Sequence, residues 1–158
     1  MFDTGVFVAL PGVAPYRAGV KLSVRSDYAA RAVLGLARRV LLNQPVTVDE
    51  LASEQGVPPN YLVQILIELK AQNIVRSVRG KAGGYLLARA PSEITLGDVL
   101  RGVQGQVFDT PALRDANCAP ELRDAWERLR QSMEAAADGT TFQQLVEEGA
   151  EKGKMYYI

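Results

Sequence analysis

The chain has 158 residues, with 18 Lys and Arg against 18 Asp and Glu, one cysteine and no histidine. The lack of histidine excludes Ser-His-Asp and Cys-His catalysis and every zinc site that needs an imidazole, and a single cysteine excludes an intrachain disulfide. The length suits one domain with an appendage, and no apolar run reaches the ~18 residues of a membrane span, so we expect a cytoplasmic protein with no membrane partner.

Residues 1–20 precede the first recognisable element. They contain glycine and proline breaks, have no helical period, and lack the positive start and sustained apolar core of a signal peptide. We expect either a disordered tail or a misassigned start, with translation beginning at Val20 from a GTG codon. An intact mass of the native protein distinguishes the two.

A long helix is predicted from Ser23 to Leu42. Its apolar residues lie on more than one face, which indicates a mostly buried helix with Arg31, Arg38 and Arg39 on the exposed part. The apolar set is Tyr28, Ala29, Ala32, Val33, Leu36, Ala37, Val40 and Leu41.

Residues 47–66 have the spacing of a helix-turn-helix, a motif that points to DNA. Ala52 keeps the first helix thin where the second crosses it, Gly56 can take a positive φ, and Leu62 fills the angle between the helices. Protein-interaction modules also contain such helical hairpins, so the segment alone leaves both interpretations open.

The ends of both helices carry their own signals. Thr47 and Glu50 have capping-box spacing for the first helix, and Pro58 and Pro59 suit the opening turn of the second. The predicted buried side consists of Leu51, Val57, Leu62, Ile65, Leu66 and Leu69.

Two short strands are predicted next, at 74–78 and 85–88, joined by a turn at 79–84 that carries two cations. Directly after a helix-turn-helix, this pattern is typical of a wing, whose tip reaches a groove or the DNA backbone; a solvated hairpin tip is the alternative. Glycines allow the main chain to come close to phosphate. Those of the turn are Gly80, Gly83 and Gly84.

Three elements are predicted behind the wing. Thr95 caps a short helix over 96–104, with Asp98 in its first turn. Residues 105–117 form a loop long enough to move. A last short helix is expected over 142–149, followed by a frayed tail.

Between that loop and the last helix, a helix is predicted over residues 120–137, with apolar side chains at steps of 4, 3, 4 and 3. This is the a/d pattern of two helices that meet along a seam, and it predicts a two-fold homodimer. A helix that packs back on its own domain is the alternative, although its apolar stripe is usually wider. The predicted interface consists of Leu122, Trp126, Leu129 and Met133, with Ala136 at its end.

Charge is unevenly distributed along the chain. Residues 21–89 have ten Lys and Arg against five Asp and Glu, a net of +5, whereas residues 90–158 have seven against twelve, a net of −5. A basic front suits phosphate. The acidic rear keeps open a second function, a winged-helix module that acts through a partner protein rather than DNA. No enzyme is expected, because paired acid and base groups and a phosphate loop with its lysine are lacking.

Several short motifs occur in a characteristic order. They are Lys21-Leu22-Ser23, Asp27-Tyr28-Ala29, Leu51-Ala52, Tyr61-Leu62, Gln64, the wing 78–87 and Thr95-Leu96-Gly97-Asp98-Val99. From Lys21 to about Glu148 the chain resembles the Rrf2 (Rrf-two) family of bacterial transcription regulators. The Arg-Gly-x-x-Gly-Gly-Tyr wing is the most specific piece. The resemblance implies a winged-helix homodimer with a long crossing helix that binds a palindromic operator, usually as a repressor.

The resemblance also implies roles for residues of the second motif helix. By position, Asn60, Tyr61 and Gln64 match recognition-helix residues that touch DNA. Asn60 and Gln64 share a helix face, and their amides can pair with adenine edges or phosphate. Tyr61 can bond phosphate through its hydroxyl, or it is a core aromatic. Val63 stands where some relatives carry a base-tuning glutamate, so the operator sequence cannot be transferred.

In the wing, Arg79 matches an arginine that relatives insert into the minor groove. Such a narrow, negative groove attracts a guanidinium, whereas Lys81 better suits phosphate. Gly80, between them, lets the backbone approach.

The sensor is where the chain departs from the family pattern. Relatives with an iron–sulfur cluster use three cysteines before the long helix, sometimes completed by a histidine or by an aspartate near the first helix. Here Cys118 stands alone, and Asp27, in the aspartate position, also suits a simple helix opening. One thiolate and one carboxylate are poor provision for a cluster, so no cofactor is expected. Cys118 as a thiol redox sensor, a small-molecule or protein effector acting at 105–117, and no effector all stay open.

The predicted fold class is mainly α with a small β wing, a winged helix-turn-helix domain plus a long dimerisation helix. The expected function is sequence-specific binding of double-stranded DNA as a homodimeric repressor. The predicted segments are the domain at 21–104, a sensor-type loop at 105–117, the dimerisation helix at 118–138, and a short helix with tail at 139–158.

Overall fold

The structure, a computed structural model, describes residues 22–156. Its α-helices are α1 (Val24–Arg38), α2 (Val48–Gln55), α3 (Pro59–Ala71), α4 (Leu96–Gln104), α5 (Pro120–Asp138) and α6 (Phe142–Tyr156). Its strands are β1 (Val75–Val78) and β2 (Gly84–Leu87). The predicted class, mainly α with a small β wing, is confirmed. The expectations for residues 1–20 and Lys21, and the last residues 157–158, lie outside the described part.

The helix-turn-helix forms as its local sequence predicts. The Thr47 hydroxyl accepts the Glu50 amide at 3.2 Å, and a Glu50 carboxylate oxygen accepts the Thr47 amide at 3.1 Å, which completes the capping box. Gly56 ends α2 with φ +64°, and Pro59 opens α3. Local contacts at the helix ends therefore determine where α2 and α3 begin and where α2 ends, without any contribution from long-range packing.

One hydrophobic core joins α1, the helix-turn-helix, the base of the wing and α4. All six side chains predicted for the buried side of the motif are buried. From outside the motif, the core includes Ala29, Ala32, Val33, Leu36, Ala37, Val46, Ile74, Val75, Leu87, Ile94, Val99 and Phe142. Because these core side chains are closely packed, the orientation of α3 relative to the rest of the domain is fixed.

The first helix is shorter than predicted. It ends at Arg38, and Val40–Leu42 form a 3₁₀ turn that closes at Asn43 with φ +46°. Val40 and Leu41, expected in the buried set, are 38% and 95% exposed, so that expectation was wrong. A 3₁₀ turn has three residues per turn rather than 3.6, so the buried stripe of α1 does not continue into it.

The wing is an antiparallel hairpin in which Val75 pairs with Leu87 and Val78 with Gly84. A second pairing fastens it to the segment before α2, since the Tyr85 amide donates to the Val46 carbonyl at 2.8 Å and the Val46 amide donates back at 3.0 Å. The strands fall within about one residue of the prediction. Gly84 belongs to β2 rather than to the turn.

Behind the wing, Thr95 and Asp98 form a capping box at the start of α4, as predicted. The segment 105–117 is more firmly packed than its length suggested. Val107 is 4% exposed, and the Phe108 ring stacks on Trp126 with centroids 6.2 Å apart. Two apolar side chains next to each other thus tie the start of this loop to α4 and α5.

The last helix is longer than predicted and continues through most of the expected frayed tail. Phe142 is fully buried at its start, and Leu145 and Val146 pack against the core. Beyond them, residues 147–154 contain several good helix formers, which lets the helix continue. Over residues 22–156, we find no helix with the length and apolarity needed to cross a bilayer.

Candidate nucleic-acid interface

The exposed face of α3 carries the three residues expected to touch DNA. Leu62, Ile65, Leu66 and Leu69 turn inward. Asn60, Tyr61 and Gln64 point outward, and Tyr61 is 61% exposed, so it is not a core aromatic. Within residues 22–156, their side-chain polar atoms have no intramolecular hydrogen bond, which leaves them free to bind a ligand.

Residues of α1 support this face from the side. The rings of Tyr28 and Tyr61 are in edge-to-face contact. The Arg31 guanidinium lies 5.9 Å from the centre of the Tyr28 ring and 2.9 Å from the Asp27 carboxylate. The Tyr61 side chain is therefore held against a second ring, which limits its freedom before any ligand binds.

Together, α1 and α3 line an open concavity of about 440 Å³. Three of its lining residues, Asn60, Tyr61 and Gln64, were predicted from the sequence. Arg25 also lines it and was missed. It lies 35 positions before Asn60 in the chain, and only the packing of α1 on α3 brings the two residues to one place.

The wing tip is a separate part of the surface. Arg79, Gly80 and Lys81 are all exposed, and Gly80 has φ +111°. They do not line the concavity beside α3. The Lys70 ammonium near the end of α3 donates to the Ser77 hydroxyl of β1 at 2.7 Å, so the helix is attached to the hairpin through its first strand.

Helix α5 presents a partly covered stripe. Trp126 stacks on Phe108, and Met133 packs against a small buried cluster. Leu122 and Leu129 are 48% and 41% exposed.

The charged side of α5 carries ion pairs within the helix. Arg130 bonds to Glu127 and, at 2.8 Å, to Glu134. The Arg130 guanidinium holds the pKa of the Glu127 carboxyl below its usual range, with a smaller contribution from Gln131, and Glu127 in turn raises the pKa of Arg130. Each shift favours the charged form of its group, which keeps this side of the helix polar.

Cys118 lies half-buried just before α5. Its thiol donates to the Ala119 carbonyl at 3.6 Å. The nearby Arg123 guanidinium donates instead to the carbonyl oxygens of Asp115 and Cys118, at 2.6 and 3.1 Å. The cation is thus used to order the backbone of the loop end.

The chain is similar to known transcription regulators. Residues 22–148 match the model of the Rrf2 family, described as an iron-dependent transcriptional regulator. A putative HTH-type transcriptional regulator of Mycobacterium tuberculosis is 38% identical over 130 residues, covering 77% of this chain and 78% of the relative. The regulator CymR of Bacillus subtilis is 29% identical over 141 residues, covering 88% of this chain and all of the relative.

Solved structures show the same fold. The IscR of T. potens has a TM-score of 0.72 and 31% identity, covering 88% of this chain and 98% of that one. CymR, described as the global cysteine regulator of B. subtilis, has a TM-score of 0.72 and 26% identity, covering 82% and 98%.

The iron in the family description raises the question of ligands in this chain. Iron–sulfur clusters are normally held by several cysteine thiolates, and the chain contains one cysteine and no histidine. Among residues 22–156, no three His, Cys, Asp or Glu side chains are grouped to hold a metal ion, and Asp27 is paired with Arg31. The residues present do not fit an iron–sulfur cluster.

Proposed function

We propose a specific mode of action for this chain, which belongs to the Rrf2 family and is a DNA-binding transcription regulator, not an enzyme. It binds a palindromic operator as a homodimer and represses transcription from it. The observation that carries the proposal is the exposed face of α3, where the side chains of Asn60, Tyr61 and Gln64 project beside one concavity.

Sequence is read by the amides of α3. An Asn or Gln side chain can donate to and accept from an adenine edge in the major groove, which is wide enough for a helix. Asn60 and Gln64 are one helical turn apart, so they face the same groove wall. The Tyr61 hydroxyl donates to a backbone phosphate, which sets the register of the helix.

The wing contributes a second contact. Its exposed Arg79 enters the minor groove, where a narrow width strengthens the negative potential. Lys81 neutralises a phosphate, and Gly80, without a side chain, allows the main chain to approach the backbone.

Dimerisation places two copies of α3 and of the wing on one duplex. The segment 118–138 supplies the interface through Leu122, Trp126, Leu129 and Met133. Support comes from the exposure of Leu122 and Leu129 on the protomer, since large apolar side chains on a long helix are typical of a helix–helix seam. A two-fold axis then presents the recognition helices to half-sites one helical turn, or a multiple, apart.

The test is a binding titration, by fluorescence anisotropy, on a duplex that the protein selects from a random-sequence library and on a scrambled version of it. Gln64→Ala should cost about 1–3 kcal/mol on the selected duplex and little on the scrambled one. Arg79→Ala should weaken both. Arg114→Ala, which removes an exposed ion-paired cation from the rear loop, is the matched control and should change neither.

Two further readouts complete this test. Footprinting should show two symmetric half-sites occupied by two protomers, and transcription in vitro from a promoter containing the selected site should fall as protein is added. Selected duplexes without symmetry, or transcription that rises, would contradict the palindrome or the repressor role. Wild-type binding unaffected by Gln64→Ala and Arg79→Ala would instead favour a module that acts through a partner protein.

A further inference from the structure

Arg25 belongs to no motif recognised in the sequence, yet it lies beside the exposed face of α3 that carries Asn60, Tyr61 and Gln64. It is the second residue of α1, lines the concavity with Asn60, Tyr61 and Gln64, and has a 46% exposed side chain. One of its terminal nitrogens, Nη2, forms an ion pair with Glu68 of α3. A cation is therefore held at the edge of the surface proposed to face DNA.

The ion pair leaves most of this guanidinium available. An arginine has five N–H donors, and among residues 22–156 the Arg25 side chain is hydrogen-bonded only through Nη2. The Glu68 side chain is the less exposed partner, and its Oε2 atom is buried and has no hydrogen-bond partner in the described residues. The carboxylate between α1 and α3 is thus more covered than the guanidinium that it holds.

A second arginine–glutamate pair in the same domain has the reverse arrangement. Arg39 pairs with Glu54, and there the glutamate side chain is the more exposed partner, 41% against 32% for the arginine. In the Arg25–Glu68 pair the arginine is the more exposed, 46% against 34%. Only Arg25 of the two arginines lines the concavity. The difference makes the Arg39 pair a natural reference.

We propose that Arg25 is a phosphate-contacting residue of the DNA interface, which Glu68 holds at the mouth of the concavity. This rests on the proposed function, in which α3 occupies the major groove. The backbone phosphates then flank α3, and a guanidinium beside the helix with free N–H donors can bind one of them through two parallel hydrogen bonds. The contact carries no base preference and adds one cation per protomer to the interface.

The test uses charge-balanced double variants, so that net charge stays constant. Arg25→Gln/Glu68→Gln removes the proposed contact, and Arg39→Gln/Glu54→Gln is the control. The dissociation constant of each protein is measured against salt concentration on the selected duplex and on its scrambled version. We expect the first variant to lower the slope of log K against log salt by about 0.9 for each protomer bound, equally on both duplexes. The control should keep the wild-type slope.

A single variant, Arg25→Lys, checks that the charge is responsible, because it should keep most of the wild-type slope. Thermal unfolding of each variant confirms that the domain is folded. Equal slopes for Arg25→Gln/Glu68→Gln and wild type would overturn the proposal, as would an equal loss in both double variants. If Gln64→Ala weakens binding in that case, the proposed function stands while the role of Arg25 fails. Wild-type protein that selects no duplex from the library overturns both.

Discussion

The rings of Tyr28 and Tyr61 meet edge to face, with centroids 6.3 Å apart and planes inclined at 74°. Tyr28 belongs to α1 and Tyr61 to the exposed face of α3. The contact supports the Tyr61 ring on one side, while the side chain as a whole stays 61% exposed. A side chain that is fixed before binding loses less conformational freedom when it meets DNA.

The hydroxyl and the ring of Tyr61 can be tested separately. Tyr61→Phe keeps the ring pair and should weaken binding to any duplex by about 0.5–1.5 kcal/mol, because one hydrogen bond to phosphate is lost. Anisotropy titrations on selected and scrambled duplexes measure it, and chemical unfolding should be unchanged because Tyr61 is 61% exposed. An affinity equal to wild type would mean that the hydroxyl makes no contact.

Tyr28→Leu tests the support. It keeps an apolar side chain on α1 but removes the aromatic edge, so we expect DNA affinity to fall by roughly the 0.5–1.5 kcal/mol of an aromatic pair. In the Tyr61→Leu background the same substitution should have no further effect on binding. Additive losses in this double-mutant cycle would show that Tyr28 acts independently of Tyr61.

Gly84 allows the wing to lie close to the segment before α2. Its φ is +152°, and a Cβ there would overlap the Val46 carbonyl group, which takes part in the pairing with Tyr85. We expect Gly84→Ala to destabilise the domain by about 1–3 kcal/mol in urea unfolding. Gly153→Ala is the control and should not destabilise the domain. Its added Cβ meets open space on α6, and alanine stabilises a helix relative to glycine by roughly 0.5–1 kcal/mol. Equal stability of Gly84→Ala and wild type would show that the wing yields without cost.

Leu129→Glu should separate the protomers. Because Leu129 is 41% exposed on the single chain, a charge there should leave the protomer folded and act on the helix–helix seam. Sedimentation should show a monomer, and affinity for the selected duplex should fall. Leu41→Glu, at a 95% exposed position on the 3₁₀ turn after α1, should leave the dimer intact. A dimer in both variants would place the interface elsewhere.

Cys118 provides a redox prediction. Its thiol faces a carbonyl oxygen, while the Arg123 guanidinium is bound to backbone oxygens rather than to the sulfur. A thiol that reacts readily with oxidants normally has a cation beside its sulfur, so we expect diamide and peroxide to leave DNA affinity unchanged in wild type and Cys118→Ser alike. Loss of wild-type affinity on oxidation, with Cys118→Ser insensitive, would identify Cys118 as the sensor.

Elements with a local chemical signature could be predicted from the amino-acid sequence. The Thr47–Glu50 and Thr95–Asp98 boxes each join residues three positions apart, and Gly56 marks its own turn. Asn60, Tyr61 and Gln64 could be placed together because they lie within a little over one helical turn. In each case the information is contained in a few consecutive residues.

Contacts between distant segments required the folded chain. The end of α1 at Arg38, and with it the exposure of Leu41, depends on where the core ends rather than on the apolar pattern. Arg25 reaches the exposed face of α3 because α1 crosses α3 at Glu68, a partner 43 positions away. Short-range hydrogen bonds and turn angles are determined within one segment of the chain. A contact such as that between Arg25 and Glu68 depends instead on how buried helix faces pack against each other. The periodicity of apolar residues alone does not specify that packing.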